Sequence, residues 1–331
     1  MFTMGNRSGL EKIIEIRGKR FLFKVEDSDR SDDYLKYEEL RNDIWGFPED
    51  NLPGCRNMMC ENYLHEGSSL FIDVYVEDEA GRFQEDKEHL AAFSYGFVGV
   101  KDKAVAFKSL DNLWFYSQYT GARPDFQGCG LGIPIKEFQR EVVADVFGVD
   151  IITCTYDPLT GVNALRNVHY FGMDVLEYRT ATYGEYGGFL NRLDVPTDRF
   201  FMSWDLRRKA ARPAYSLKSR LDVDCRVIDV EEKEIAGRSQ SLSLEVAKAF
   251  RLNSDHDVLF VRIPRDFYLM LDETDVADPA VRGIPVGWRM KTREAFLSLL
   301  GRGYKIVDFQ SVRGRASRSE NYYVLKKGIS V

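Results

Sequence analysis

The sequence has 331 residues, which at about 100 to 200 residues per domain predicts two domains. Hydrophobic residues make up 44% and charged residues 30% of the chain, a balance that excludes a disordered or fibrous protein. The net charge of −6 excludes general attraction to nucleic acid or anionic membranes, so any anion site must be built locally.

The cysteines and histidines give no sign of a metal site or a disulfide framework. The five cysteines are odd in number and contain no Cys-x-x-Cys pair, and the four histidines are equally scattered. No apolar run approaches the roughly 18 residues of a membrane-spanning helix, and residues 1–10 lack the layout of a signal peptide. We therefore expect a cytoplasmic protein with reduced thiols, no metal, and no membrane or nucleic-acid partner.

The first third of the chain predicts a strand, a helix and two further strands. Apolar and alternating patterns place the strands at 19–25, 69–76 and 89–100. The helix carries Leu35, Leu40 and Ile44 on one side and ends near Gly46.

The next segment predicts a strand, a glycine-rich loop, a helix and a second strand, which together form a βαβ unit. These elements are placed at 112–120, 123–132, 134–147 and 149–156. Apolar residues recur at helical spacing, Pro134 suits the first turn, and Gly148 suits the C-terminal cap. The loop therefore opens a helix N-terminus, where backbone N–H groups and the helix dipole favour an anion.

A domain boundary is predicted after Leu206, which gives domains at 1–206 and 207–331. The rest of the first domain is predicted to hold a short helix at 163–170 and strands at 175–180 and 200–206. The second domain is predicted to hold strands at 225–230, 258–263, 304–309 and 322–325 and a helix at 285–300. Because Gly303 before Tyr304 echoes Gly172, one interpretation of this smaller α/β domain is a degenerate half-copy of the first.

The loop contains Gly128, Gly130 and Gly132, which allow a sharp turn and the close approach of a phosphate because they lack Cβ atoms. A simple turn is the alternative interpretation. A dinucleotide-binding fingerprint would follow the first strand, whereas this loop follows the fourth predicted strand. A nucleotide P-loop would end in Gly-Lys-Ser/Thr, which is absent here.

The motif Gln127-x-x-Gly130-x-Gly132, preceded by Pro124-Asp125-Phe126, resembles the acyl-CoA pyrophosphate loop of the GNAT acyltransferase superfamily. More narrowly, the chain resembles a bacterial GNAT family with an extra C-terminal domain. The likeness runs through residues 116–206 and through C-terminal motifs such as Trp288-Arg289. It covers most of the chain.

The resemblance implies an α/β (α+β) fold with a mixed, strongly twisted sheet flanked by helices. It also implies that the strands at 112–120 and 149–156 splay apart, so that the pantetheine of acetyl-CoA or succinyl-CoA lies between them. The residues expected to bind this co-substrate are Tyr119, Thr120, Gly121, Ala122, Gln127, Gly128, Cys129, Gly130, Leu131, Gly132, Asn163 and Asn167. For Asn163 and Asn167, one helical turn apart, capping of the helix is the alternative.

Direct attack of an amine on the thioester requires a positioned base and an acid for the leaving thiolate. The candidate catalytic residues are Ser117, Asp157, Tyr170 and Glu185. Each has a structural alternative: strand packing for Ser117, a turn for Asp157, core packing for Tyr170 and an exposed loop for Glu185.

The residue between Ser117 and Tyr119 departs from the family pattern. Gln118 stands where relatives commonly have a histidine, and a glutamine cannot act as a base at neutral pH. Strand alternation predicts that Ser117 and Tyr119 lie on the face opposite Gln118.

These observations predict an acyl-CoA-dependent N-acyltransferase acting on a small amine, with an amino acid as the expected acceptor. A CoA-binding sensor without turnover is the alternative from a different class, and acyl transfer to protein amines is a third interpretation. The C-terminal domain has three roles open to it: walling the acceptor pocket, forming a homodimer interface, or stabilising the first domain.

Overall fold

The computed structural model describes residues 10–46, 54–184, 187–208, 225–251, 256–313 and 319–328. The chain divides into two units, of which the first comprises Met1–Cys154 with Asp205–Arg208. The second comprises Thr155–Trp204 with Lys209–Val331. These units divide the chain earlier than the predicted domains 1–206 and 207–331, which stay a prediction.

The first unit is built on a mixed sheet in which the strands follow the order β1-β2-β3-β4-β5-β6. Their bounds are β1 Glu11–Ile16, β2 Lys19–Val25, β3 Ser69–Val76, β4 Leu90–Val100, β5 Leu113–Ala122 and β6 Ile151–Tyr156. Neighbours from β1 to β5 pair antiparallel, whereas β5 and β6 pair parallel. Since a helix at Gly132–Asp145, named α3, connects β5 to β6, the predicted βαβ unit and the mixed sheet are confirmed.

Helices cover both faces of this sheet. They are α1 Leu35–Trp45, α2 Cys55–Glu61 and α3 Gly132–Asp145. The ring of Tyr95 in β4 belongs to a buried cluster with residues of α1 and α2, whereas the neighbouring Ser94 accepts a hydrogen bond from Gln139 of α3. Because adjacent strand residues point to opposite faces, α1 and α3 lie on opposite sides of the sheet. The predicted flanking helices are thus confirmed.

Two elements of this unit were not predicted. Strand β1 is exposed or half-exposed along its whole length, so its sequence carries no buried apolar face that would mark a strand. Helix α2 lies between the predicted helix and the strand at 69–76, where no element was predicted, and Met58 is its one buried residue. The helix of the βαβ unit begins at Gly132, two residues before the predicted start.

The second unit contains α4 Gly161–Ala164, a π-helix at Leu165–Tyr170, and the antiparallel strands β7 Asp174–Arg179 and β8 Arg199–Asp205. Its remaining elements are β9 Ile228–Ala236, β10 Ser241–Phe250, β11 Val258–Ile263, α5 Phe267–Glu273, α6 Pro279–Arg282, α7 Ile284–Gly301, β12 Tyr304–Arg313 and β13 Ser319–Lys327. β9 pairs with β10, and a three-stranded antiparallel sheet has the order β11-β13-β12. Phe200, Phe296 and Tyr323 pack their rings together at centroid distances of 4.9 to 5.5 Å.

Candidate functional site

The glycine-rich loop lies where β5 gives way to α3. Residues 124–126 form one 3₁₀ turn, in which the N–H of Gln127 donates to the carbonyl of Pro124 at 3.2 Å. Gly128 and Gly130 then adopt φ values of 74° and 98°, the left-handed region that favours glycine. The chain enters α3 at Gly132, as the sequence predicted to within two residues.

The backbone of this loop presents a row of hydrogen-bond donors. Across the described part of the chain, no atom accepts a hydrogen bond from the backbone N–H groups of Gly128, Gly130, Leu131, Gly132 and Ile133. A Cβ placed on Gly128 would meet nothing within 4 Å, so the space beside this residue is open. Donors at the positive end of a 14-residue helix fit a phosphate or pyrophosphate.

A cationic hairpin adjoins the loop. Arg17 and Gly18 form the two-residue turn between β1 and β2, with φ values of 53° and 76°. Arg17 donates from Nη1 to the carbonyl oxygen of Gly128 at 2.8 Å, and the Nζ of Lys19 lies 5.5 Å from the ring centroid of Phe126. Sequence reasoning missed these cations because it did not predict β1. The Arg-Gly turn signal was present in the sequence.

The strand before the loop carries a β-bulge. Tyr95 of β4 lies opposite Tyr119, while the next residue, Gly96, lies opposite Ser117, so Gln118 is the additional residue of β5. The parallel ladder to β6 runs only from Phe115 to Ser117, which pairs with Cys154, whereas β5 continues to Ala122. The bulge therefore marks the point beyond which β5 no longer pairs with β6.

The bulge also corrects the expected side-chain alternation. The hydroxyl of Ser117 accepts a hydrogen bond from Lys136 of α3, whereas the ring of Tyr119 packs 5.5 Å from that of Trp45 in α1. Ser117 and Tyr119 thus lie on opposite faces, and the prediction that they share a face was wrong. The inserted residue shifts the period-two pattern by one position, which the amino-acid types do not reveal.

Buried polar side chains link the two sides of the bulge. Lys136, 2% exposed, donates from Nζ to Ser117 Oγ at 2.5 Å and to Gln139 Oε1 at 2.9 Å. Gln139 donates from Nε2 to Ser94 Oγ at 2.8 Å, and Ser94 donates to the carbonyl of Tyr119 at 3.1 Å. Sequence reasoning missed Lys136, whose only signal was a charged residue next to the apolar Ile135 in α3.

The other residues of β5 that were predicted to bind the co-substrate contact neighbouring residues of the protein. Thr120 Oγ1 lies 3.1 Å from Ser94 Oγ, and the carbonyl of Ala122 accepts from Gln127 Nε2 at 3.3 Å. A Cβ on Gly121 would come within 2.6 Å of the Trp45 ring, so this position requires glycine. Any contact of this stretch with a ligand would therefore use main-chain groups.

In the second unit, the carboxylate of Asp157 is fully engaged. One oxygen pairs with Arg289 and with Arg199, the latter at 3.5 Å, and the other accepts from the N–H of Leu159 at 2.9 Å. Arg289 is 1% exposed. These contacts favour a structural role for Asp157, which was one of the predicted catalytic residues.

The predicted helix at 163–170 is a short α-helix followed by a π-helix. Arg166 donates to the side-chain oxygens of both Asn163 and Asn167, at 2.9 and 3.0 Å. Tyr170 ends the π-helix, with its ring centroid 4.9 Å from that of Phe171. Glu185 lies outside the described residues, so its catalytic role stays a prediction.

One tyrosine near this segment was not predicted. Burial, with the charge of Asp157 acting in the same direction, raises the pKa of Tyr268 to about 12, although the charges of Arg199 and Arg166 and a hydrogen bond with Asn163 oppose the shift. Its phenol is therefore protonated at neutral pH and can act as a donor.

The described residues contain no cluster of three or more His, Cys, Asp or Glu side chains arranged to hold a metal ion. No helix in the described ranges is long and apolar enough to cross a membrane.

No protein-family model matches the chain, and no curated protein matches it by sequence. Several solved structures of acetyltransferases match the chain at low identity. Arabidopsis thaliana NAA60 in complex with a bisubstrate analogue is 7% identical, with a TM-score of 0.41, and covers 56% of this chain and 98% of its own. The ribosomal-protein-S18-alanine N-acetyltransferase from Escherichia coli is 12% identical, with a TM-score of 0.38 and coverages of 58% and 99%.

A GNAT-family protein from Desulfovibrio desulfuricans is 14% identical, with a TM-score of 0.35, and covers 56% of this chain and 99% of its own. At these identities, the substrates of the matching proteins do not identify the substrate of this chain.

Proposed function

We propose that this protein is an acyl-CoA-dependent N-acyltransferase. The observation that carries the proposal is the segment at 127–133, which presents five backbone N–H groups without an acceptor among the described residues. They lie at the N-terminus of α3, directly after a strand that leaves its parallel neighbour at a bulge. An anion-binding loop combined with an interrupted parallel ladder suits a ligand that carries a pyrophosphate on an extended arm.

The proposed binding mode follows from these features. The pyrophosphate of CoA would accept hydrogen bonds from the loop, with Arg17 and Lys19 adding positive charge nearby. The pantetheine arm would run along β5 beyond Ser117, where main-chain groups no longer belong to the ladder with β6. The thioester would then lie near the bulge at Gln118.

The proposed reaction is direct attack of an amine on this thioester. The C–N bond forms, the C–S bond breaks, the amine loses a proton, and the departing sulfur gains one. Acetyl and succinyl groups are the proposed donors, and a small amine such as an amino acid is the proposed acceptor.

Thiol release and product mass test this proposal. Purified protein is incubated with acetyl-CoA or succinyl-CoA and pooled amino acids or polyamines, and the amines are then analysed by mass spectrometry. The proposal predicts CoA release that depends on the amine and the appearance of an N-acylated product.

A CoA-binding sensor is the second candidate, because the carboxylate of Asp157, a predicted catalytic residue, is engaged in an ion pair with Arg289. It predicts binding of acyl-CoA without product from any pool. Thermal stabilisation of the protein by acyl-CoA in the same samples separates a sensor from a protein that does not bind CoA at all.

A further inference from the structure

The hydrogen-bond directions in the buried network leave one proton without an acceptor. Lys136 donates to both Ser117 Oγ and Gln139 Oε1, so the oxygen of Ser117 acts as an acceptor. The hydroxyl proton of Ser117 has no hydrogen-bond acceptor within the described residues, although the side chain is only 4% exposed. Buried hydroxyl groups normally find a partner, so this proton is available to a ligand.

The position of Ser117 indicates which ligand atom that would be. Ser117 forms the last ladder pair between β5 and β6, opposite Cys154, and it immediately precedes the bulge at Gln118. A pantetheine arm that follows the unpaired part of β5 toward the bulge ends at this residue. The group at the end of the arm is the thioester.

We propose that Ser117 donates the proton to the CoA thiolate and that Lys136 positions and polarises the Ser117 hydroxyl, an inference that rests on the proposed function. As the amine forms the C–N bond and the C–S bond breaks, the Ser117 proton passes to sulfur. Ser117 Oγ then takes a proton from the Nζ of Lys136, and after CoA departs, water in the vacated site returns a proton to Nζ through the Ser117 hydroxyl. Ser117 is the catalytic residue of this pair, and Lys136 acts through it.

The network holds this arrangement fixed. The chain of donors from Lys136 through Gln139 and Ser94 ends on the carbonyl of Tyr119, so the residues on both sides of the bulge are tied to α3. The side chains of Lys136, Gln139 and Ser94 are all at most 2% exposed, so little water competes for these hydrogen bonds. Such rigidity suits a donor that must face one atom of the substrate.

A double-mutant cycle tests the pair. Amine-dependent thiol release is measured for wild type, Ser117→Ala, Lys136→Met and the double variant, together with acyl-CoA affinity and melting temperature. Since a general acid contributes about 10² to 10⁴ in rate, each single variant is expected to lower kcat about 100-fold while the affinity for acyl-CoA changes less than about threefold. The double variant is expected to be no slower than the slower single variant.

Lys136→Gln serves as a second variant without the ammonium, in case Lys136→Met does not fold. Lys12→Met is the control, because Lys12 pairs with Glu141 of α3 at 3.1 Å on the exposed surface and its loss should leave kcat unchanged. Equal losses from removing Lys136 in the wild-type and Ser117→Ala backgrounds would overturn the pair, as would full activity of Ser117→Ala. Wild type that binds acyl-CoA but acylates no amine would overturn the proposed function and the pair together.

Discussion

A negative charge placed in the glycine-rich loop before α3 should weaken acyl-CoA binding far more than the same charge placed just beyond the C-terminus of that helix. The test pair is Gly128→Asp and Gly148→Asp. Both glycines have positive φ, 74° and 63°, and a Cβ at either would meet nothing within 4 Å. The two substitutions therefore add the same charge with a similar backbone cost, at opposite ends of the helix.

The expected size follows from the loop geometry. Two unit charges about 4 Å apart repel by roughly 1 kcal/mol in water and about 4 kcal/mol near a protein surface. A pyrophosphate carries at least two charges, so a carboxylate at Gly128 should cost at least about 2 kcal/mol. This corresponds to a loss of about 30-fold in affinity, whereas Gly148→Asp should change affinity less than about threefold.

Isothermal titration with acetyl-CoA at low and high salt measures both numbers. The difference between the variants should shrink at high salt, because ions screen exposed charges. Equal affinities of the two variants at low salt would refute the assignment of the loop as the pyrophosphate site, whatever the catalytic activity of the protein.

Two further predictions concern buried ion pairs. Lys36→Met removes the ammonium that pairs with Glu26 and, at 2.8 Å, with Asp73. Urea denaturation should show that the free energy of unfolding falls by about 3 to 5 kcal/mol, and an unchanged midpoint would contradict this prediction. Burial would raise the pKa of Asp198, but hydrogen bonds, first from Arg293, lower it below its ordinary value. The ion pair therefore stabilises the folded state fully above the unfolded pKa near 4. This stabilisation is lost as the pH falls through the lower pKa of the folded state. Arg293→Met should therefore destabilise the protein by about 1 to 3 kcal/mol at pH 7, and pH-dependent denaturation should show the gap to wild type closing below pH 4; a gap that widens there would contradict the reasoning.

The predictions from sequence succeeded where burial leaves a clear pattern. The strands at 69–76 and 258–263 were placed with the bounds that the structure gives, because both are apolar runs buried almost throughout. The helix after the loop was found because Ile135, Phe138 and Val142 are buried at helical spacing.

The misses have physical causes of their own. β1 presents no buried face, and β10, which was not predicted, pairs with β9 in a separate two-stranded sheet. The bulge at Gln118 is a property of backbone pairing, so it is invisible in the residue types and inverted the expected faces of its neighbours. The contact of Lys136 with Ser117 joins residues 19 positions apart through tertiary packing, which no local pattern encodes.

Transfer of an acyl group from CoA at this loop is tested most directly by amine-dependent thiol release from acetyl-CoA, comparing wild type with Gly128→Asp and Gly148→Asp at equal amounts of folded protein. The account predicts release by wild type and Gly148→Asp that requires the amine, and strongly reduced release by Gly128→Asp at a subsaturating donor concentration. Binding of acetyl-CoA by wild type without release dependent on any of the pooled amino acids or polyamines, with acetyl-CoA or with succinyl-CoA as donor, would contradict it.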